Sequence, residues 1–483
     1  MLSSTARPIV LAPARIELPQ IAPDTNELGV MLAYTPLHHL LFAAGAPDVL
    51  VMTSANRSSE PISYEDQDAL DRLFGIADAF LIGERPIARR VDDSVARAGT
   101  LGPVILRRAR GYAPGAVVKL PSRRPILALG ADLKNSVALV VEGQGFVSQH
   151  IGDLEHYQAF RAFEETIRDL VEMYDVRWSD LLIAHDLHPQ YGSTTYANSL
   201  QASRSILGVQ HHRAHIASVL AEHEAWDSPV LGVSCDGTGF GDDGTIWGGE
   251  FFAGSLQAGF QRVAHLRPAV LPGGDAAAEH PVQAAAGFLA QIDGLPDLMA
   301  EPFLLGPRYR DALQLVARNV RCFTTTSMGR LFDTAAALLG FTRAISYEGQ
   351  AAMWLEQLAN RSRCEEAYPF PFVENQLDFR PLIEGVIRDR LKGRDPLDIA
   401  RAFQRGVADG LCCAISVLCD RFGLGTVVLS GGVFQNELLL NDVKLKLSSP
   451  PIQVWVNHAV PPNDGGISLG QAALAAFSDR ARS

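Results

Sequence analysis

Apolar and polar positions along the chain fall into two kinds of stretch. RPIVLA (7–12) and DVLVMTSA (48–55) are short apolar runs that read as strands, and YTPLHHLLFAAG (34–45) reads as a helix with Pro36 in its first turn. AVVKLPSRRP (116–125) has two prolines and little periodicity, which places the main linker there. Beyond it, ILALGADLKNSVALV (126–140) predicts two strand arms around a tight turn at Gly130 and Asp132. The theme returns in VLGVSCDGTGFGDDGTIWGGEFF (230–252) as apolar strand, Asp-Gly turn and second apolar strand. TVVLSGGVFQN (426–436) repeats it as strand, glycine pair and helix, without the aspartate. Asp395-Pro396 supplies an N-cap and a proline at the first helical position, opening a helix through Leu418 that ends near Gly423. Residues 255–390 read as largely helical and irregular.

A buried strand that ends in glycines lets backbone N–H groups close on a phosphate, because no Cβ blocks the approach. Two strand-turn-strand units and one strand-glycine-helix unit together resemble the duplicated actin/hexokinase-type ATPase fold. The expected class is therefore α/β, with a nucleotide gripped between two lobes.

VQHHRAHIASVL (209–220) sets His211 and His215 four residues apart, on one face of a predicted helix and close enough to share an ion. Oxygen donors are the natural complement. Asp236, flanked by Gly237 and Gly239, is expected in a turn at the end of a buried strand, where it could equally form an Asx-turn. Asp464, in VPPNDGGISLG (460–470), follows two prolines and precedes a helix that it could simply cap. A set of two histidines and two aspartates suits Fe(II), Zn or Mn with positions left for water or ligand. A zincin metalloprotease needs Glu directly after its first histidine, and His212 stands there.

Composition narrows the partners. The formal charge of −12 argues against coating nucleic acid. Between Glu84 and Arg124, however, ten Lys/Arg face three Asp/Glu, a zone that suits the phosphates of a small ligand. Six cysteines show no CxxC spacing, as expected of a reduced cytoplasmic chain. No run of about 18 apolar residues suggests a membrane span. Cys235 beside Asp236 reads as a buried structural thiol rather than a covalent relay. His185, Asp186 and His188 end an apolar strand, where a proton shuttle, acceptor docking or a turn before Pro189 are all open; His150 has the same standing.

TSANRSSEPI, RPIARRVDDSV, LRRARGYAP, SQHIGDL, VQHHRAHIA, CDGTGFGDDGTIWGGEF, TSMGRLFDTAAALLG, YEGQAAM, LSGGVFQN and PPNDGGISLGQA together resemble the HypF family, the carbamoyltransferases of [NiFe]-hydrogenase maturation. The likeness runs over essentially the whole chain. It implies a YrdC-like domain over 1–118 and a Kae1-like domain over 119–483, with lobes at about 125–228 and 229–483. It also implies carbamoyl-adenylate formation from ATP and carbamoyl phosphate or carbamate, then transfer of the carbamoyl group to the C-terminal cysteine of HypE. The cofactors implied are ATP with Mg and a divalent metal at the His/Asp site. A homodimer is possible; neither nucleic acid nor membrane is a partner.

Carried over by position, the resemblance assigns His211, His215, Asp236 and Asp464 to the metal. It assigns Gly237, Thr238 and Gly239 to a phosphate loop, and Gln350, Gly431, Gly432 and Asn436 to the nucleotide. Ser54, Asn56, Ser94 and Arg107 fall on the family's nucleotide contacts in the YrdC-like half. Lys134, Asp236 and Asp333 carry the expected catalytic roles. The family pattern also includes an acylphosphatase domain and a cysteine-rich zinc-finger segment, and the first strands of the YrdC-like domain, none of which this sequence matches. Two further readings remain open: an O-carbamoyltransferase acting on a small molecule, whose domains resemble these in the opposite order, and a non-catalytic fragment or scaffold that binds HypE. A tRNA threonylcarbamoyl role fits the negative charge and the fused domains poorly.

Overall fold

The computed structural model describes residues 1–483 except 17, 19, 20, 23, 24, 58, 59, 201–204, 449–451, 482 and 483. The chain divides into two compact units. The first comprises Met1–Arg15, Glu27–Val209 and Asn457–Ser483; the second comprises Ile16–Asn26 and Gln210–Val456. Compactness thus assigns the histidine stretch to the later part of the chain and returns the last 27 residues to the earlier part.

Among the described residues the first unit holds two sheets. Strands β1 (Ile9–Pro13), β2 (Glu27–Val30), β3 (Val95–Gly99) and β4 (Gly102–Arg107) form one, in the order β2-β1-β3-β4. Strands β5 (Ala116–Lys119), β6 (Ile126–Ala128), β7 (Ala138–Val141), β8 (Gln144–Val147), β9 (Leu182–Asp186) and β10 (Ser205–Val209) form the other, in the order β10-β9-β6-β7-β8-β5. Leu127, Leu139 and Ile183 from this sheet bury against Phe163, Ile167 and Leu170 of the Tyr157–Met173 helix. The terminal helix, Ile467–Ala481, packs on β6 and β9. It is pinned there by Gln471, whose Oε1 accepts from the Gly130 N–H (2.8 Å) and whose Nε2 donates to the Gly130 carbonyl (3.1 Å).

The second unit is built on a nine-stranded sheet of described residues. Its strands are β11 (Val230–Phe240), β12 (Ile246–Ser255), β13 (Gly259–Leu266), β14 (Ala269–Pro272), β15 (Cys322–Thr325), β16 (Phe372–Val373), β17 (Gln376–Leu377), β18 (Thr426–Ser430) and β19 (Gln453–Trp455). At its centre β11 runs antiparallel to β12 and parallel to β18. Residues 255–390, expected to be mainly helical, therefore contribute β13 to β17 as well as helices.

Several local expectations need correction. DVLVMTSA forms no strand: Val49 and Val51 are 84% and 74% exposed. Apolar alternation alone cannot make a strand where no neighbouring edge takes up its hydrogen bonds. The linker stretch is partly structured, since Ala116–Lys119 pairs with β8. Asp236 lies within β11 at a bulge between Cys235 and Gly239 rather than in the turn beyond the strand; the turn falls at Gly241–Gly244. Among the described residues one helix, Pro396–Phe422, is long and apolar enough to cross a membrane by length and composition, and 72% of its apolar window is buried inside the protein. That helix starts at Asp395, whose carboxylate accepts from the Leu397 N–H (2.9 Å), and ends at Gly423 in the left-handed region (φ +66°).

Candidate metal and nucleotide site

The His211–Glu222 helix is buried on nearly every face, with His211, His212 and His215 all essentially inaccessible. Gln210 caps it, accepting from the Arg213 N–H (2.9 Å) while donating to the Phe240 carbonyl (3.0 Å). One side chain thus fixes both the helix start and its position against the end of β11. The two imidazoles then converge: Nε2 of His215 lies 3.1 Å and Nε2 of His211 3.4 Å from the same oxygen, Oδ2 of Asp236. Two ring nitrogens and a carboxylate oxygen at one point are the donor set that a borderline cation takes.

The glycines around Asp236 make room for this. A Cβ on Gly239 would stand 2.5 Å from Cε1 of His212 and 2.8 Å from Cδ2 of His211. Gly431 sits at φ +103°, where a Cβ would meet the Cys235 carbonyl oxygen at 2.2 Å. That close approach lets the Gly432 N–H donate to Asp236 Oδ1 (3.1 Å), joining the LSGG turn to the metal-ligand candidate. Burial opposes ionisation of Asp236, but hydrogen bonding and charge from His211 and His215 hold its carboxyl well below the ordinary range. Burial, reinforced by His211, pushes His212 well below its ordinary value. The Cys235 thiol is pushed up by burial, as suits a structural thiol.

The phosphate-loop candidate Gly237 lies against the start of the Met328–Leu339 helix. Ser327 caps that helix by accepting from the Arg330 N–H (3.1 Å), and its hydroxyl donates to the Gly237 carbonyl. Gly329 permits the approach, since a Cβ there would lie 2.9 Å from the Gly237 Cα. On the same helix Asp333 forms a buried ion pair with Arg330 (2.6 Å), and burial raises its pKa against that pairing. Gln350 Oε1 accepts from the Ser346 N–H (2.7 Å). Asn436 caps the Glu437–Leu447 helix through the Leu439 N–H (2.9 Å) and donates to Gln404 (3.1 Å). Gln350 thus holds the turn before the helix that follows Gly349, and Asn436 the start of the helix after the LSGG stretch.

Sequence reasoning missed Glu250. It is fully buried in β12, pairs with Arg262 (2.6 Å) and accepts from the Gly248 and Gly249 N–H groups (3.2 Å each) and from the Thr326 hydroxyl. The available signal was a single carboxylate inside the apolar run WGGEFF.

In the first unit, Asn463 caps the 3-10 turn Asp464–Gly466 by accepting from the Gly465 N–H (3.0 Å), and the last helix begins directly after that turn at Ile467. Ser94 is buried with its hydroxyl donating to the Arg110 carbonyl (2.9 Å) and accepting from the Ala109 N–H (2.7 Å). Ser54 and Asn56 lie on an exposed turn and bond to each other. Part of the basic zone is spent on pairing: Arg89, Arg90, Arg97 and Arg110 each bind a carboxylate. Arg107, at the end of β4, is exposed. Asp186 accepts from the His188 N–H (2.9 Å) and its carbonyl from the Thr194 hydroxyl (2.9 Å), and the His188 ring stacks on Tyr191 (4.1 Å).

Family models match along the chain: the Sua5/YciO/YrdC model, described as telomere recombination, over 1–109; the HypF Kae1-like domain over 121–222; and the carbamoyltransferase Kae1-like domain, second subdomain, over 232–471. Carbamoyltransferase HypF of Synechocystis sp. is 38% identical over 98% of this chain and 63% of its own length. A carbamoyltransferase HypF homolog of Cupriavidus necator is 33% identical over 73% of this chain and 91% of its own. The chain belongs to the HypF family. Among solved HypF structures, a full-length HypF in the phosphate- and nucleotide-bound form superposes with TM-score 0.90 at 38% identity, covering 98% of this chain and 75% of that one. HypF from T. kodakarensis gives TM-score 0.91 at 31% identity, over 99% and 64%. The fold expected from sequence, YrdC-like plus Kae1-like, is therefore found. The chain spans somewhat less than two thirds of the length of the full HypF relatives it matches.

Proposed function

We propose that this chain is an ATP-dependent carbamoyltransferase that forms carbamoyl-adenylate and passes the carbamoyl group to the C-terminal cysteine of HypE. In the first step a carbamate oxygen attacks the α-phosphorus of ATP and pyrophosphate leaves. In the second the HypE thiolate attacks the carbamoyl carbon, a C–S bond forms and AMP leaves. Family membership supports the reaction class, and a phosphate- and nucleotide-bound HypF relative supports the nucleotide.

The observation that carries the reading is Asp236. One of its oxygens lies against two histidine nitrogens and the other against the N–H of a glycine turn. We assign His211, His215 and Asp236 to a divalent metal, Fe, Zn or Mn. When bound, the metal would orient phosphate and take up negative charge developing in transfer. The chain's own part is to hold Asp236 in place through the Gly432 N–H and to keep it ionised. Mg would accompany ATP. Lys134 and Asp333 are assigned to substrate handling, and Gln350, Gly431 and Asn436 to the shape of the nucleotide pocket.

The test is carbamoyl-phosphate-dependent ATP–pyrophosphate exchange by this chain alone, repeated with carbamate generated in situ. Exchange with either supports adenylation, and exchange with carbamate only assigns the hydrolysis of carbamoyl phosphate elsewhere. No exchange under either condition sinks the catalytic reading in favour of a HypE-binding scaffold. Transfer to a peptide ending in the HypE cysteine, against a serine-ended control, separates it from O-carbamoyl transfer.

A further inference from the structure

Strands β11 and β12 lose register at one place. Cys235 pairs with Gly249 and Gly239 with Trp247, so Asp236, Gly237 and Thr238 stand opposite the single residue Gly248. A bulge of this kind interrupts the ladder and re-aims the side chains it carries, here the Asp236 carboxylate. Contacts from outside the strand pair must therefore hold it in shape. Glycines let those contacts form. A Cβ on Gly248 would lie 2.7 Å from the Asp236 carbonyl oxygen and 3.0 Å from the Ser327 Cα. One on Gly249 would lie 2.7 Å from the Thr326 carbonyl oxygen.

Glu250 joins these segments. Its Oε1 accepts from three donors at once: the N–H groups of Gly248 and Gly249 (3.2 Å each) and the Thr326 hydroxyl. The residue after Thr326 is Ser327, whose own hydroxyl donates to the Gly237 carbonyl inside the bulge. Oε2 takes Arg262 of β13 (2.6 Å), and that guanidinium lies 3.9 Å over the Trp247 ring. The carboxylate is fully buried. A buried ion pair is often no more stabilising than apolar residues of the same volume, so stability alone does not account for a charge within WGGEFF. An apolar side chain could not accept two amide N–H groups and a hydroxyl at one point.

We propose that Glu250 is a positioning residue that holds the Asp236–Thr238 bulge against the Thr326–Ser327 helix start, and so fixes the aim of Asp236 at His211 and His215. Its Oε1 does this work, while the Arg262 pair on Oε2 neutralises the buried charge. That Asp236 receives a metal rests on the reading given under the proposed function. That Glu250 holds the bulge does not, because it follows from the bonds among β12, the helix start and Gly237.

Two measurements on the full chain test this: cobalt(II) titrated and read by its visible absorption, and amide hydrogen exchange of the metal-free protein. Glu250→Ala should weaken cobalt at least about tenfold and shift its bands, as loss of a group that orients ligands does. It should also speed exchange at Gly237–Gly239 at least about tenfold more than in the Pro396–Phe422 helix, which reports global opening. Thr326→Val, which removes only the hydroxyl, should move both readouts in the same direction. Glu250→Gln keeps an oxygen for the three donors and gives up the charge facing Arg262. It should therefore lower the urea midpoint yet hold cobalt within about threefold of the unsubstituted chain. Exchange that rises equally in bulge and helix, or cobalt and bulge exchange both unchanged in Glu250→Ala, overturns the positioning role. So does a Glu250→Gln variant as weak for cobalt as Glu250→Ala. If Glu250→Ala fails to fold, Thr326→Val decides, and unchanged bulge exchange there overturns the proposal. Absence of cobalt binding in the unsubstituted chain counts against the metal assignment alone, and exchange then decides the role of Glu250.

Discussion

Asp236 and the glycines beside it set what single residues must do. The carboxylate has one oxygen for the two histidines and one for the Gly432 N–H, so asparagine cannot replace it without turning an acceptor into a donor. Asp236→Asn should lower metal content and cut transfer more than about 100-fold, a larger loss than changes outside the ligand set give. His211→Ala with His215→Ala should abolish metal binding and leave the fold intact. Elemental analysis checks both, and metal retained at full occupancy would remove the ligand assignment. Gly239→Ala places a methyl within 2.5 Å of His212 and 2.8 Å of His211. It should destabilise by about 1–3 kcal/mol, read by urea denaturation, and weaken the metal through displaced imidazoles. The histidine spacing and the glycine-flanked aspartate were visible in the sequence. Glu250 was not, because its role depends on strands and a helix start far from it in sequence.

Caps and ion pairs at helix ends place these residues. Ser327 both starts the Met328–Leu339 helix and ties it to Gly237. Ser327→Ala should cost about 1 kcal/mol from the cap and loosen the phosphate-loop candidate, raising the KM for ATP more than it lowers kcat. Arg401, on the Pro396–Phe422 helix, holds Asp442 of the following Glu437–Leu447 helix with two bonds of 2.5 and 2.9 Å. Removing the guanidinium leaves a nearly buried carboxylate unpaired, so Arg401→Ala should destabilise by roughly 3 kcal/mol, while Arg401→Ala with Asp442→Leu should recover part of it. Thermal and urea midpoints read both. Helices were legible where starts were written locally: Pro36 falls in the first turn of its helix and Asp395-Pro396 opens the other, as the sequence says. DVLVMTSA failed as a strand because pairing is decided by a neighbour, which the run itself cannot supply.

Across the whole molecule, charge pairing fixes the acid limit. Burial opposes ionisation of Asp378 and Asp389, yet hydrogen bonds from Arg380, and from Arg394 and Tyr368, hold both carboxyls below their ordinary value. A folded pKa below the unfolded value of about 3.9 gives stabilisation that is complete above that pH and lost as pH falls through the folded values. The urea midpoint should therefore fall below about pH 4 for these groups, and Arg380→Ala with Arg394→Ala should flatten that fall. What the sequence determined by itself was chemistry carried by short spacings: two histidines four positions apart, glycines after a buried strand, an aspartate and a proline at a helix start. These are local because a helix turn, a bulge and a cap are completed within a few residues. Only the tertiary structure decided that Gly432 reaches Asp236 across 196 positions, and that the last helix returns to β6 and β9 through Gln471. It also decided that the His150 backbone N–H meets the Arg108 carbonyl (2.7 Å). Those contacts depend on sheet order and burial, which no spacing along the chain records.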